Sequence, residues 1–339
     1  MSFAIYRLPY AQECTLIAQT SGKPQEFHSC AELTGKQGFV MAPFAPSVEH
    51  PILLIRPDVI ETETNVIFLT QIPLLSFARI KESPRQDYHI DFANFHAHLL
   101  NGDFQKLVLS RSVEIMNGEH NILKMFHLAC VSYPHMMVSL VLTPQSGIWL
   151  TATPEILLSG QGSEWQTIAL AGTMPYEDDL RWNDKNIQEQ RYVASYITQQ
   201  LKQFTNHITE EGPRTARAGH LAHLRSDFHF SLPEGAPIGD LLDALHPTPA
   251  VCGLPKEKAR QFILQNEHHD RSYYSGFMGP MAIHQETNLF VTLRCMEIFV
   301  NGYRLHAGGG LLKESVEEQE FQETETKLNT MRHIINKNV

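Results

Sequence analysis

No stretch of the 339 residues holds 18 consecutive apolar side chains, so no helical membrane span is expected. Residues 1–7 (MSFAIYR) lack the charged start and long apolar run of a secretory signal. Paired cysteines are missing too. Cys14, Cys30, Cys130, Cys252 and Cys295 are odd in number and scattered, with no C-x-x-C spacing. That argues against a disulfide framework or a zinc ribbon and points to a reducing, cytoplasmic setting. Basic runs are absent as well. Lysine and arginine total 27 against 37 acidic residues, a net charge of −10, so nucleic acid is not an expected partner. The 18 histidines include no H-E-x-x-H, and neither His220-x-x-His223 nor His268-His269 has a third ligand nearby, which argues against a zinc hydrolase. The glycine run at 308–310 lacks the P-loop pattern, so it is not read as a nucleotide site.

What remains is ordinary globular composition, 42% hydrophobic and 19% charged, enough for a sizeable core. Apolar runs at 38–44, 52–56 and 66–69 predict strands. Residues 81–87 read as a polar surface loop. A helix is expected over 88–101, with Phe92, Phe95, Leu99 and Leu100 on one side. Further strands are expected at 106–115, 136–142, 147–151, 153–159, 168–173, 277–284, 289–293, 298–300 and 304–307. Helices are expected at 121–130, 184–204, 256–267 and 316–336. On the helix at 184–204, Ile187, Ala194, Ile197, Leu201 and Phe204 form the expected apolar stripe. Short meandering strands with few long helices favour an α+β fold with antiparallel sheets, one domain over residues 1–339.

Several residues could carry chemistry. The triplet Gly308-Gly309-Gly310, read as following a strand, exposes backbone N–H groups that could cradle an anion. On the helix behind it, Glu320, Glu323 and Lys327 share one face. Carboxylates and an ammonium beside such a cradle suit an acidic ligand bridged by a divalent metal. Lys106 heads an apolar strand. It is either a buried base or an edge lysine facing water. Glu155, between Pro154 and Ile156, is either a proton-bearing general acid or a strand-end surface charge. Glu189 and Glu323 could share a Mg²⁺, or Glu323 could simply pair with Lys327.

Taken together, the blocks resemble the chorismate-utilising enzymes. They are KLVLSR at 106–111, TPEILL at 153–158, LAGT at 170–173, HPTPA at 246–250 with Gly253 and Pro255, and DR at 270–271 with Gly276 and Gly279. VTLRC at 291–295, AGGG at 307–310 and ETETKL at 323–328 complete the set, in family order. Residues 96–335 carry the motifs and 1–95 match loosely. The resemblance implies a large single α+β domain, sheet-rich inside, helices outside, with the site in a central cleft. It implies Mg²⁺ on Glu189 and Glu323, and carboxylate contacts from Arg294, Lys327 and the backbone of Gly308 and Gly310. It also implies a pocket lined by Thr173, His223, Ala250 and Tyr274. Lysine at 106 and alanine at 171 resemble the water-adding isochorismate and salicylate synthases rather than the ammonia-using branches. Hence a monomer with no obligate glutaminase partner is expected. In that reading Lys106 deprotonates the water that attacks C2 of chorismate and Glu155 protonates the departing C4 hydroxyl. Ala250-Val251 resembles the isochorismate synthase pattern, so isochorismate is the expected product, bound for menaquinone or siderophore synthesis. One departure is Gln190, where the family commonly has histidine after the metal-binding glutamate; another is Asn186, where an acid is frequent.

Overall fold

The computed structural model describes residues 2–63, 85–116, 121–218 and 221–338. In chain order the strands are β1 (Ser2–Arg7), β2 (Cys14–Gln19), β3 (Gln25–Phe27), β4 (Gly38–Ala42), β5 (Ile52–Ile55), β6 (Val59–Glu63), β7 (Lys106–Met116), β8 (Met137–Thr143) and β9 (Gly147–Thr153). They continue with β10 (Ile156–Gln161), β11 (Glu164–Pro175), β12 (Ile208–Ala218), β13 (Leu221–Ser231), β14 (Gly253–Leu254), β15 (Phe277–Met281), β16 (Glu286–Val291), β17 (Cys295–Phe299) and β18 (Gly302–Leu311). The helices are α1 (Arg85–Leu100), α2 (Ile122–Ser132), α3 (Asp184–Leu201), α4 (Ile238–Leu245), α5 (Lys256–Asn266) and α6 (Glu317–Asn338).

The strands form two nine-stranded sheets, ordered β14-β7-β18-β17-β9-β8-β1-β2-β6 and β12-β13-β11-β10-β16-β15-β4-β5-β3. Pairing is antiparallel among the described residues, as the sequence predicts. Both faces of most central strands are buried, which is why they read as continuous apolar runs rather than alternating ones. In β8, for instance, Met137 and Val141 pack in the layer shared with the other sheet. The intervening Val138, Leu140 and Leu142 face α2 and α6. The inner layer joins Phe39, Trp149, Tyr273, Met278 and Phe290 from both sheets. On the outer face of the second sheet, α3 and α4 cover Leu157, Ala169 and Phe228. The architecture is therefore helix, sheet, sheet, helix. Among the described residues no helix is long and apolar enough to cross a membrane.

The expected elements from residue 106 onward are present, with shifted ends. The run at 66–69 lies outside the described residues. The loop expected at 81–87 gives way to α1 from Arg85. Leu100 points to water at 63% exposure. Thr153 closes β9 instead of opening β10, because Pro154 has no N–H for a ladder bond. The β12–β13 hairpin was not foreseen. β12 is rich in charge and carries Gly212-Pro213, a composition that an edge strand tolerates and a propensity reading rejects. The stripe on α3 is also corrected. Ile187 is exposed, whereas Glu189, Gln190 and Val193 are buried. The first half of α3 turns a polar face inward.

Trp149 is fully buried between the sheets and donates its indole N–H to the Ser146 carbonyl at 3.0 Å. Trp149→Ala is expected to cost ~3–5 kcal/mol of stability through the cavity it leaves. A urea denaturation midpoint within error of the parent protein would contradict that.

Candidate active site

Where the two sheets part, a cleft of ≈ 630 Å³, open mouth included, is walled by β7 and β18 from one sheet and β11 and β13 from the other. Glu189 reaches it from α3 and Lys327 from α6. Glu155, Thr173, Glu189, His223, Ala250, Tyr274, Arg294, Gly308, Gly310 and Lys327 all line it. Lys106 lies just behind the lining, entirely buried, with Nζ 3.0 Å from Oε1 of Glu189. The edge-strand alternative for Lys106 is thereby excluded, and so is the surface alternative for Glu155, which is 2% exposed.

The glycine triplet sits inside β18, not after a strand as expected. Gly308 pairs with Ser110 and Gly310 with Val108 on β7. Its use is space. A Cβ on Gly310 would fall 2.0 Å from Oε1 of Glu189 and 2.9 Å from Cε of Lys106. A Cβ on Gly309 would lie 3.5 Å from Glu323 and 3.6 Å from Glu320. The missing side chains let three carboxylates crowd one strand. The Gly308 carbonyl accepts from Nζ of Lys327 at 2.8 Å.

The two acid–base candidates have opposite electrostatics. Burial pushes Glu155 up to about 8, against the attraction of Lys106 and Lys327. It therefore holds its proton at neutral pH, and the general-acid reading gains support. For Glu189 burial also acts upward, but Lys106, Lys185 and Lys327 outweigh it and hold the carboxyl below its ordinary range. Among the described residues Lys106 Nζ, although ion-paired, donates no well-aligned hydrogen bond.

The far wall is a hydrogen-bonded trio. Burial, then Arg294 and Lys327, push His223 well below its usual value, so the ring is neutral. Arg294 donates to Nε2 of His223 at 2.8 Å, which assigns the proton to Nδ1. Nδ1–H is then directed at the Gly172 carbonyl, 3.2 Å, and lies 3.3 Å from Oγ1 of Thr173. A bulge between Ala171 and Thr173, with Gly172 at φ 70°, turns that carbonyl toward the ring. Burial lowers Arg294 to about 10, and its backbone sits at φ 47°, a left-handed conformation rare outside glycine. Gln190 accepts from Ala171 N–H at 2.9 Å and donates to the Ala169 carbonyl at 3.1 Å, stitching α3 to β11. That explains a side chain able both to donate and to accept at this position.

Glu323 is not on the cleft wall. It lies in an adjoining groove with Glu320 and Lys185, tied to the cleft through Lys327 at 2.7 Å. The bland expectation of a Glu323–Lys327 ion pair is thus also met. Among the described residues no three His, Cys, Asp or Glu side chains converge as a ready-made metal site. The donor set nevertheless suits a hard cation. Glu320, which sequence reasoning noted but did not assign, is 1% exposed and raised to about 7 by burial and by the Glu323 charge. Lys185 is its ion partner. Glu189, Glu320 and Glu323 thus each lean on a lysine, the kind of partner charge that a divalent ion would supply instead.

His306 was missed entirely. It is stacked between Trp149 and Tyr274 at 5.6 and 5.4 Å and lines the cleft. The signal was available, since period-two alternation from Gly308 and Gly310 reaches His306.

Residues 61–336 match the family model for chorismate-binding enzymes. The chain belongs to that family. It is 31% identical over 274 residues to the isochorismate synthase DhbC of Bacillus subtilis, covering 74% of this chain and 68% of that one. It is 34% identical over 197 residues to the isochorismate synthase MenF of Escherichia coli, covering 55% and 45% respectively. Matches thus span from under half to about two thirds of these relatives' lengths. The fold is that of the menaquinone-specific isochorismate synthase MenF of Escherichia coli, with TM-score 0.80, 23% identity and coverage of 98% and 88%. The family resemblance drawn from the eight sequence blocks is borne out, as is the α+β fold.

If Glu155 is the acid of this chorismate-binding site, kcat/KM is expected to fall as pH rises through about 8, where the carboxyl loses its proton. Glu155→Gln keeps the shape but cannot donate in this way, and is expected to lower kcat by at least ~100-fold. A wild-type rate still climbing above that pH, or a near-normal rate in the variant, would remove Glu155 from the role.

Proposed function

We propose that the chain is a Mg²⁺-dependent isochorismate synthase, adding water at C2 of chorismate and releasing the C4 hydroxyl. The observation that carries this is a buried, proton-bearing glutamate on the cleft wall with a buried lysine just behind the lining. Lys106 is the candidate base and Glu155 the candidate acid, and burial holds Glu155 up to about 8. The names of the relatives supply the substrate class.

To accept a proton from water, Lys106 must be neutral. Its partner Glu189 must then meet another positive charge. A Mg²⁺ held by Glu189 and Glu323, with Glu320 beside them, would supply that charge and polarise the ring carboxylate. With that charge supplied, Lys106 would be free to take the proton of the attacking water. Glu155 passes its proton to the leaving hydroxyl, which departs as water; Lys106 then returns a proton to solvent and Glu155 takes one up before the next turnover. Arg294 and Lys327 orient the carboxylates of the substrate, with Thr173, His223, Ala250 and Tyr274 closing around the ring. Lys106 and Ala171 fit water rather than ammonia as nucleophile, so no glutaminase is required. The product would feed menaquinone or siderophore synthesis.

Ala250 offers no hydroxyl to the ring and Val251 adds bulk beside it, both lining the cleft. Small differences of this size bias a bound intermediate by ~1–3 kcal/mol, here toward release rather than pyruvate elimination. Purified protein with chorismate and Mg²⁺, without ammonia, is expected to yield isochorismate and no early pyruvate in a lactate dehydrogenase couple. Stoichiometric pyruvate with fluorescent salicylate would overturn the product assignment.

Chelation, or Glu323→Ala, is expected to abolish turnover without unfolding the protein. Wild-type activity of Glu323→Ala at low Mg²⁺ would overturn the metal assignment.

A further inference from the structure

Beside the cleft lies a second, larger groove of ≈ 1690 Å³, open mouth included. It runs along the C-terminal half of α6, under α2 and the end of β12. Its charged lining is of one sign. Arg217, Arg294, Arg332 and Lys337 line it with His333, and no Asp or Glu does among the described residues. This is a notable concentration in a chain of net charge −10. Arg294 belongs to both spaces, forming part of the groove and of the cleft wall. One helix also serves both. Thr326, Asn329, His333 and Lys337 of α6 line the groove, while Lys327 points into the cleft. Arg332 has a carboxylate partner, Glu325, at 2.6 Å, yet Glu325 is shared with the buried Arg111.

Two neighbouring openings differ from it in lining. The groove reached past Thr173 carries Glu320 and Glu323, which repel an anion. The one beside Pro154 and His223 has Arg214, Arg217 and Arg225, with Arg214 and Arg225 sharing the one carboxylate of Asp227; it is basic as well, but Arg294 and the cations of α6 are not in its lining.

We propose that the groove along α6 is a docking and approach site for the substrate dianion, which passes from Lys337 and Arg332 to Arg294 before entering the cleft. The inference rests on the proposed function for the identity of that dianion, a cyclic dicarboxylate. Its physical basis is focusing. A concave, low-dielectric surface of one charge sign raises the local concentration of an opposite charge, an effect that salt screens.

The test uses the double variant Arg332→Gln/Lys337→Gln, whose side chains are outside the cleft lining. Chorismate turnover is measured at about 20 mM and about 0.5 M salt, conditions of long and short screening length. The expected result is a kcat/KM lower by roughly tenfold at low salt, with kcat unchanged and the gap closed at high salt. Lys337→Glu alone is expected to act in the same direction. Equilibrium binding of chorismate by calorimetry at both salt concentrations reads the same contrast without turnover. It separates the groove from the catalytic reading: a wild type that binds in a salt-dependent manner yet converts nothing would sink only the latter. Equal kcat/KM and equal salt dependence in wild type and variants would overturn the proposal. So would a loss of kcat that is the same at both salt concentrations, since that marks a structural effect.

Discussion

The ion pair between Lys106 and Glu189, 3.0 Å apart and removed from water, is the contact on which the site depends. Neither charge is tolerable alone in that position. Lys106 comes from the start of β7 and Glu189 from the polar face of α3, so their pairing ties one sheet to the helix that covers the other. Gly310 makes the meeting possible by leaving out a side chain where the carboxylate must pass. Glu155, in the same cleft but without such a partner at contact, takes the other course open to a buried acid and keeps its proton. Two glutamates thus differ in protonation because one has a lysine against it.

The two stacked sheets explain why such a site can be built at all. Their shared apolar layer, anchored by Trp149, Tyr273 and Phe39, fixes the walls before any polar group is placed. Where the sheets diverge, polar side chains from β7, β11, β13 and β18 can be buried against one another instead of against hydrocarbon. The neutral His223 illustrates the result. Arg294 and the bulged Gly172 carbonyl satisfy both its nitrogens, so it supports the guanidinium without adding charge.

Much of this was legible from residues. Most strands from 106 onward announced themselves by apolar runs, and several polar residues that interrupt those runs line the cleft or lie just behind its wall. Lys106 and Glu155 each left a choice between surface and interior that spacing could not make, since burial depends on what the rest of the chain stacks against a strand end. Ile187 shows the converse. Helical periodicity assigned it to the core, but α3 rotates its first turns to bury Glu189 and Gln190, and the isoleucine is left in water. The β12 strand escaped notice because Gly212 and Pro213 and a run of charges look like a loop unless the partner β13 is known. Sequence spacing grouped Glu323 with Glu189, whereas in the structure Glu189 lines the cleft and Glu323 lines the adjoining groove.

The central claim is that the carboxyl of Glu155 is protonated at neutral pH while that of Glu189 is ionised. Carboxyl-carbon NMR of glutamate-labelled protein, with Glu155→Gln and Glu189→Gln to assign the signals, reads both directly. The account predicts a Glu155 resonance in its protonated position at neutral pH, titrating with a midpoint near 8. It predicts a Glu189 resonance already ionised there, with a midpoint below the ordinary glutamate value. A Glu155 signal that titrates in the ordinary glutamate range, ~4, would contradict it.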